Sequence, residues 1–265
     1  MNSRIEKKLL HYTGKAIDIY HMIREGDKLL LCLSGGKDSF ALVKLLHLLK
    51  ARTKVMFDLH VLSIDKGFKA WNRTEIIKWL ETQKADFTVL TTDIANIVDK
   101  KKYKGVSPCV LCSRLRRGHI YSFAKQYGYN KVVLGHHRDD LIVSLMMSIL
   151  YSGNISSMPP KLITDDKKLI VIRPLVFCQE ADLKLYAEEQ KFPLSDSGLC
   201  SLGENSARKK VAEYIKIFSA DNKKIPSNIL HALSSVKLSQ LMDNQWWNFK
   251  NLEASLEQRL YSGRI

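Results

Sequence analysis

No stretch of about 18 consecutive apolar residues occurs in the 265-residue sequence, so no membrane-spanning helix is expected. The opening Met1-Asn-Ser-Arg-Ile-Glu-Lys-Lys8 lacks the apolar centre of a signal peptide, and a cytoplasmic location is expected. Prolines number only six, and no repeat or low-complexity tract is visible, so no flexible linker is predicted. Cysteines are few, at positions 32, 109, 112, 178 and 200, and in a cytoplasmic chain they are not expected to form structural disulfides. Cys32 and Cys178 lie in apolar, strand-like surroundings and read as core filler. Acidic charge is in clear deficit. Against 42 Lys and Arg stand 27 Asp and Glu, a formal net charge of +15. This balance points to a polyanionic partner, either nucleic acid or an anionic membrane surface. The basic residues cluster at Lys100–Lys104, Arg114–Arg117, Lys209–Lys210 and Lys223–Lys224.

What is present is organised around one stretch. Leu29 to Leu33 is an apolar run too short for a typical helix and suited to a strand buried on both faces. Gly35 and Gly36 break the run, and from Phe40 to Lys50 the apolar spacing is helical. Ser34-Gly-Gly-Lys-Asp-Ser39 therefore occupies a strand-to-helix turn, where free amides and the helix dipole attract phosphate. The two glycines allow close backbone approach, Ser34 and Ser39 add hydroxyl donors, and Lys37 adds charge. Asp38 would be repelled by phosphate unless a cation lay between them, which makes it a candidate Mg²⁺ ligand. The spacing is not that of a Walker loop. It resembles the PP-loop of the ATP pyrophosphatases, which cut ATP between its α- and β-phosphates and transfer AMP to a substrate oxygen. Acceptors differ widely within that fold, so the fold does not name the substrate.

Taken in order, residues 1–27 read as an amphipathic helix and turn, with strands over 29–33, 57–64, 87–90, 131–134 and 169–172. Helices are expected over 40–50, 74–84, 113–127 and 141–150, with the lysine-rich segment 93–108 as a loop. The expected class is α/β, a parallel sheet sandwiched by helices, of the adenine nucleotide alpha hydrolase-like type that the PP-loop resemblance implies. The expected division is a helical N-terminal extension (1–27), an ATP-binding domain (28–176) and a helical C-terminal region (177–265). Right-handed crossovers place the loops after the strands along one carboxyl edge, bringing Ser34–Ser39, Asp65 and Gly135–Asp140 into one crevice. There Asp65 either contacts ribose or adenine or caps a helix. Gly135 permits close approach of the nucleotide. Asp139 and Asp140 either bind metal or cap the helix they begin, and His136 and His137 either contact phosphate or are merely exposed.

Pro108-Cys-Val-Leu-Cys112 begins a helix with a Cys-x-x-Cys pair, which suits a redox dithiol, half a zinc site or part of an iron–sulfur site. No second pair follows for zinc, and Cys200 is the other cysteine in a loop context. Three thiolates suit a [4Fe–4S] cluster with one iron left open.

Several segments together resemble the tRNA-cytidine 2-sulfurtransferase family over essentially the whole chain. They are Cys32-Leu-Ser-Gly-Gly-Lys-Asp-Ser39, Pro108-Cys-x-x-Cys-Ser-Arg-Leu-Arg-Arg-Gly118, Gly135-His-His-x-Asp-Asp140, Ile172-Arg-Pro-Leu175, Phe192-Pro193 and Asn248-Phe-Lys-Asn-Leu252. The resemblance implies ATP and Mg²⁺ (on Asp38 and Asp140), with the phosphates held by Lys37 and the loop. It also implies a [4Fe–4S] cluster on Cys109, Cys112 and Cys200, and sulfur insertion at C2 of a cytidine in the tRNA anticodon loop. A cysteine-derived sulfur donor and a homodimer are further expectations of the same kind. Family members usually carry a second Cys-x-x-Cys after the Phe-Pro. Here Ser197 stands at its first position, so either Cys200 supplies the third thiolate or the site is altered. The rival readings are a PP-loop enzyme that thiolates a tRNA uridine, and a non-catalytic tRNA-binding or redox-sensing relative.

Overall fold

The computed structural model describes residues 3–68, 71–101, 108–194, 207–245 and 248–253. Its centre is a six-stranded sheet in the order β3-β2-β1-β4-β6-β5, built from β1 (Asp27–Leu33), β2 (Phe57–Asp65), β3 (Phe87–Thr91), β4 (Lys131–Val133), β5 (Lys161–Ile163) and β6 (Ile170–Ile172). All pairs are parallel except β5 with β6, and β1 is the central strand, paired with both β2 and β4. β5 is not evident in the sequence, because three residues at a sheet edge carry too short an alternation to detect.

Alternate residues of β1 serve two cores, as a pleated strand requires. Leu29, Leu31 and Leu33 join one face with α1 (Arg4–Ile19), α2 (Lys37–Lys50) and α7 (Glu180–Gln190), through Leu9, Phe40 and Tyr186. Leu30 joins the other face with α4 (Ile94–Lys101) and α5 (Pro108–Gln126), through Ile94, Val98, Ile120 and Phe123. Burial on both faces explains the unbroken apolar run in the sequence. The expected loop over 93–108 is corrected here. Its first half is helix α4, because Ile94 and Val98 stand one turn apart and bury against the sheet, while the lysines that follow them obscure the period. α5 begins at Pro108 rather than near residue 113, since proline suits the first turn of a helix.

The remaining helices are α3 (Arg73–Thr82), α6 (Arg138–Ser152), α8 (Ala207–Asp221) and α9 (Ile225–Ala232). α8 packs on α6 through Ile142, Val143, Val211 and Ile215. No helix among the described residues is long and apolar enough to cross a membrane. Strands β2 and β3 extend to one side of β1, and β4 to the other. The chain thus reverses direction at the β1/β4 boundary, the switch point where the carboxyl ends of such sheets bind ligands.

Candidate active site

At the switch point, β1 runs into the turn Ser34–Gly36 and α2 opens at Gly36 without a side-chain cap, so the first amides of α2 are free for an anion. Gly35 has φ +85°, a conformation other residues adopt only with strain. The two serines brace the turn. The Ser39 hydroxyl accepts from the Ser34 amide (3.1 Å) and donates to the Gly36 carbonyl (2.8 Å), and the Ser34 hydroxyl donates to Ser39 Oγ (3.1 Å).

The loop after β4 lies directly against this turn. A Cβ on Gly135 would stand 3.3 Å from the Ser39 amide nitrogen and 3.4 Å from the Asp38 carbonyl carbon and oxygen. Those neighbours are backbone and cannot rotate away. Gly135→Ala should therefore displace the phosphate turn and weaken ATP binding by about ten-fold, on the order of 1.4 kcal/mol. Calorimetric titration with ATP checks this, and an affinity within two-fold of wild type would refute the contact.

Charged groups converge on the turn from distant parts of the chain. Lys37 Nζ lies 3.3 Å from Asp38 Oδ2 and 3.2 Å from Glu180 Oε1 on α7. Burial alone would lower the Lys37 pKa, but the Asp38 and Glu180 carboxylates outweigh it and raise it, so the ammonium stays charged. Burial raises the Asp38 pKa, against the opposing pull of His137 and Lys37. His137 Nε2 stands 3.8 Å from Asp38 Oδ2 and 3.5 Å from Asp140 Oδ2, which places the two carboxylates around one imidazole. Asp140 also accepts from the His137 amide (3.1 Å) and pairs with Arg208 of α8 (2.6 Å). Asp139 approaches the other ring nitrogen, with Oδ2 3.8 Å from His137 Nδ1, and accepts from the Glu180 amide (2.8 Å) at the start of α7.

The donor set fits a divalent cation. Asp38 Oδ1 is buried with no hydrogen-bond partner, and Asp140 approaches the same imidazole. Among the described residues no cluster of three or more His, Cys, Asp or Glu groups forms a metal site by itself. Mg²⁺ does not require one, because it binds through one or two carboxylates together with substrate phosphates.

Neither histidine is merely exposed, which corrects one of the two readings offered for them. His137 is 5% exposed, and His136 Nδ1 accepts from Arg173 Nε (3.3 Å). Arg173 follows β6, is itself buried, and donates through Nη1 to the Pro159 carbonyl (2.6 Å). Burial and the neighbouring Arg173 push the His136 pKa down to about 4, so its ring is neutral, with Nδ1 the acceptor and Nε2 the protonated donor. Asp65 accepts from the Gly67 amide (2.9 Å) and approaches Arg73 (3.7 Å), while α3 is capped by Asn72 instead.

The cavity enclosed by these loops measures about 190 Å³. Ser34, Asp38, Ser39, Gly135, His136 and Asp140 line it, as do Cys32, Lys66, Arg116 and Ile120. Its wall at β2 is Leu62 and Ile64, with Lys66 just beyond the strand, and does not include Asp65. Cys178 fills the core beside Thr13, as the sequence suggests, but Cys32 is half-buried in the cavity wall and burial pushes its thiol pKa up to about 12.

Helix α5 connects this cavity to the cysteine pair. Cys109, Cys112, Arg116 and Ile120 are spaced three, four and four residues apart, one stripe of an α-helix. Burial deepens along the stripe, from exposed Cys109 through half-buried Cys112 and Arg116 to buried Ile120. Cys112 thus stands about 6 Å along the axis from Arg116, at 1.5 Å per residue. A pair of thiols one turn apart suits two of the ligands of an iron–sulfur cluster. Cys200 and Ser197 lie outside the described residues.

Sequence reasoning missed Arg116, Arg173, Glu180 and Arg208 as partners in this site. Arg116 was legible as the residue four after Cys112, and Arg173 as the residue after a strand. Nothing local marks Glu180 or Arg208.

A family model for the PP-loop domain matches residues 1–196. A tRNA-cytidine(32) 2-sulfurtransferase of Legionella pneumophila is 52% identical over 255 residues, covering 96% of this chain and 90% of the relative. One of Coxiella burnetii is 47% identical over 249 residues, covering 94% and 97%. Among solved structures, the U34-tRNA thiolase NcsA from Methanococcus maripaludis with its [4Fe-4S] cluster superposes with a TM-score of 0.68 at 18% identity, covering 88% of this chain and 80% of that one, which shows a shared fold. The chain belongs to the tRNA-cytidine(32) 2-sulfurtransferase family of PP-loop proteins.

Proposed function

We propose that this protein thiolates a tRNA cytidine at C2, at the anticodon-loop position 32 named for its relatives, with ATP converted to AMP and pyrophosphate. The observation that carries the reading is the stripe on α5, which leads from the Cys-x-x-Cys pair into the cavity floored by the phosphate-binding turn.

In this reading Lys37, Ser34, Ser39 and the free amides of α2 hold the ATP phosphates, while Asp38 and Asp140 would hold Mg²⁺, a cation that would offset the charge developing on pyrophosphate. The cytidine O2 attacks the α-phosphate, pyrophosphate leaves, and C2 of the adenylated base becomes electrophilic. A sulfur nucleophile arriving along the α5 stripe then displaces AMP. Held by Cys109 and Cys112, with Cys200 as third ligand, a [4Fe–4S] cluster would supply that sulfur, drawn from a cysteine-derived donor. Neutral His136 offers a fixed N–H donor on the cavity wall. Exposed Arg114 and Arg117 on α5 suit tRNA phosphates beside the cavity mouth.

Nucleoside mass spectrometry of tRNA tests the reading. Cells lacking the gene should lose 2-thiocytidine, the wild-type gene should restore it, and Cys112→Ser should not. Intact 2-thiocytidine with another thionucleoside missing would favour a uridine acceptor. No change in any thionucleoside would favour a non-catalytic relative.

A further inference from the structure

The sequence carries three arginines in Arg114-Leu-Arg-Arg117, and the structure separates them. Arg114 and Arg117 are exposed, whereas Arg116 is half-buried and lines the cavity with Ser34, Asp38, Ser39 and Gly135. The carboxylates of the site are engaged elsewhere. Asp140 pairs with Arg208, Asp139 with Arg138, Glu180 with Lys37 and Lys184, and Asp38 with Lys37. Among the described residues Arg116 has no carboxylate partner and no hydrogen bond. A half-buried guanidinium in a phosphate-binding cavity, with no anion of its own, is a group prepared for a ligand anion.

Its position selects which anion. Ser34, Asp38 and Ser39 of the turn form one wall of the cavity, and Arg116 and Ile120 of α5 form the wall on the cysteine side. Lys66 lines the cavity beyond β2, whereas Arg116 stands between the nucleotide turn and Cys112, one helical turn away on the same stripe. In the reaction proposed above, on which this inference rests, sulfur reaches the base from the cysteine side and pyrophosphate leaves on the side of the turn, so the anion held between them is the α-phosphate. We propose that Arg116 is a catalytic residue that grips the α-phosphate of ATP, first as it is transferred to the base and then as it departs in AMP.

The bookkeeping of bonds needs no proton from Arg116, which stays charged throughout. In the first step an O2–P bond forms and the bond to the bridging oxygen breaks, its electron pair leaving on pyrophosphate. In the second, a hydrosulfide equivalent forms the C2–S bond, the C2–O2 bond breaks with its pair leaving on AMP, and the sulfur-borne proton goes to solvent. The guanidinium offsets negative charge on the same phosphorus oxygens in both steps, where a fixed cation in a partly desolvated site acts most strongly.

Calorimetric titration of the full-length protein with AMP, pyrophosphate and adenosine tests the assignment in Arg116→Ala, Arg116→Lys and, as a charge control beyond the far end of α2, Arg52→Ala. Arg116→Ala should weaken AMP by about ten-fold or more, the scale of one charge-assisted contact, with pyrophosphate and adenosine within about two-fold. Arg116→Lys should fall between, having charge without the planar fork, and Arg52→Ala should match wild type. Unchanged AMP affinity would overturn the assignment. Equal losses for AMP and pyrophosphate would reduce Arg116 to a general field, and equal losses for AMP and adenosine would place it on the adenine ring; either also overturns it. Failure of the thiolation reading would show in the tRNA nucleosides and leave this AMP-selective loss intact.

Discussion

Lys37→Ala should lower the turnover of AMP and pyrophosphate formation by about 10²- to 10³-fold, the usual cost of removing one preorganised group that meets charge developing in the transition state. The side chain is held at 3.3 Å from Asp38 and 3.2 Å from Glu180, so its ammonium is fixed beside the phosphate turn with little orientational freedom left to lose. Without it, two carboxylates face the phosphates with no fixed cation between them. Asp38→Asn keeps the shape but removes the charge that its buried, unpartnered Oδ1 would place on Mg²⁺. Its expected signature is a different one, a rise of about ten-fold in the Mg²⁺ concentration needed for half-maximal rate, within the range seen when metal-site groups are disturbed. Pyrophosphate release measured against ATP and Mg²⁺ separates the two. A Lys37→Ala turnover within three-fold of wild type would remove Lys37 from the chemistry.

The second large effect concerns stability, far from the cavity. Lys131 and Asp27 form an ion pair at the amino ends of β4 and β1, with residues 2% and 5% exposed. Lys131 Nζ also donates to the Met22 carbonyl (3.0 Å), and Asp27 accepts from the Arg24 amide (2.6 Å) and Asn130 Nδ2 (2.9 Å). Lys131→Met should destabilise the fold by roughly 3–5 kcal/mol, because the change leaves a buried carboxylate without its cation. At about 2–4 °C per kcal/mol for a chain near this size, the melting temperature should fall by roughly 6–20 °C. Lys131→Met with Asp27→Asn should recover part of that loss, since no unpaired charge then remains.

The pH dependence follows from the direction of the Asp27 shift. Burial raises its pKa, but the Lys131 bond, the Arg24 amide and Asn130 outweigh burial and hold it below the ordinary carboxylate value. A group with a lowered folded pKa stabilises fully above its unfolded value, about 3.9, and loses that contribution as pH falls through the folded value. The gap between wild type and Lys131→Met should therefore be full at neutral pH and narrow below about pH 4. Urea titrations at pH 7 and below pH 4 measure it, and a constant gap would exclude Asp27 as its source.

Much of the site was readable because its parts are local. The apolar run Leu29–Leu33, the glycine break and the helical spacing after Phe40 each span a few residues, and together they define the strand, turn and helix found there. The lysine-rich segment misled, since α4 buries only Ile94 and Val98 deeply and so shows a sparse apolar period. Asp139 and Asp140 could not be told apart in sequence. Both begin the same helix and approach the His137 ring, yet one bonds the first amide of α7 and the other the His137 amide and Arg208.

By itself the sequence determined the phosphate-binding turn, the mainly parallel sheet and a Cys-x-x-Cys pair at the start of a helix, because each depends on backbone preference and on a side-chain period of two or 3.6 residues. Only the tertiary structure decided which distant groups complete the site. It set Gly135 against the backbone of Asp38 and Ser39, brought Glu180 to Lys37 and Arg208 to Asp140, and turned Arg116 alone of its cluster into the cavity. Those contacts join segments from 68 to 143 residues apart, or depend on where a helix lies against the sheet. No local periodicity encodes them. They follow from the packing of two apolar cores on opposite faces of one strand.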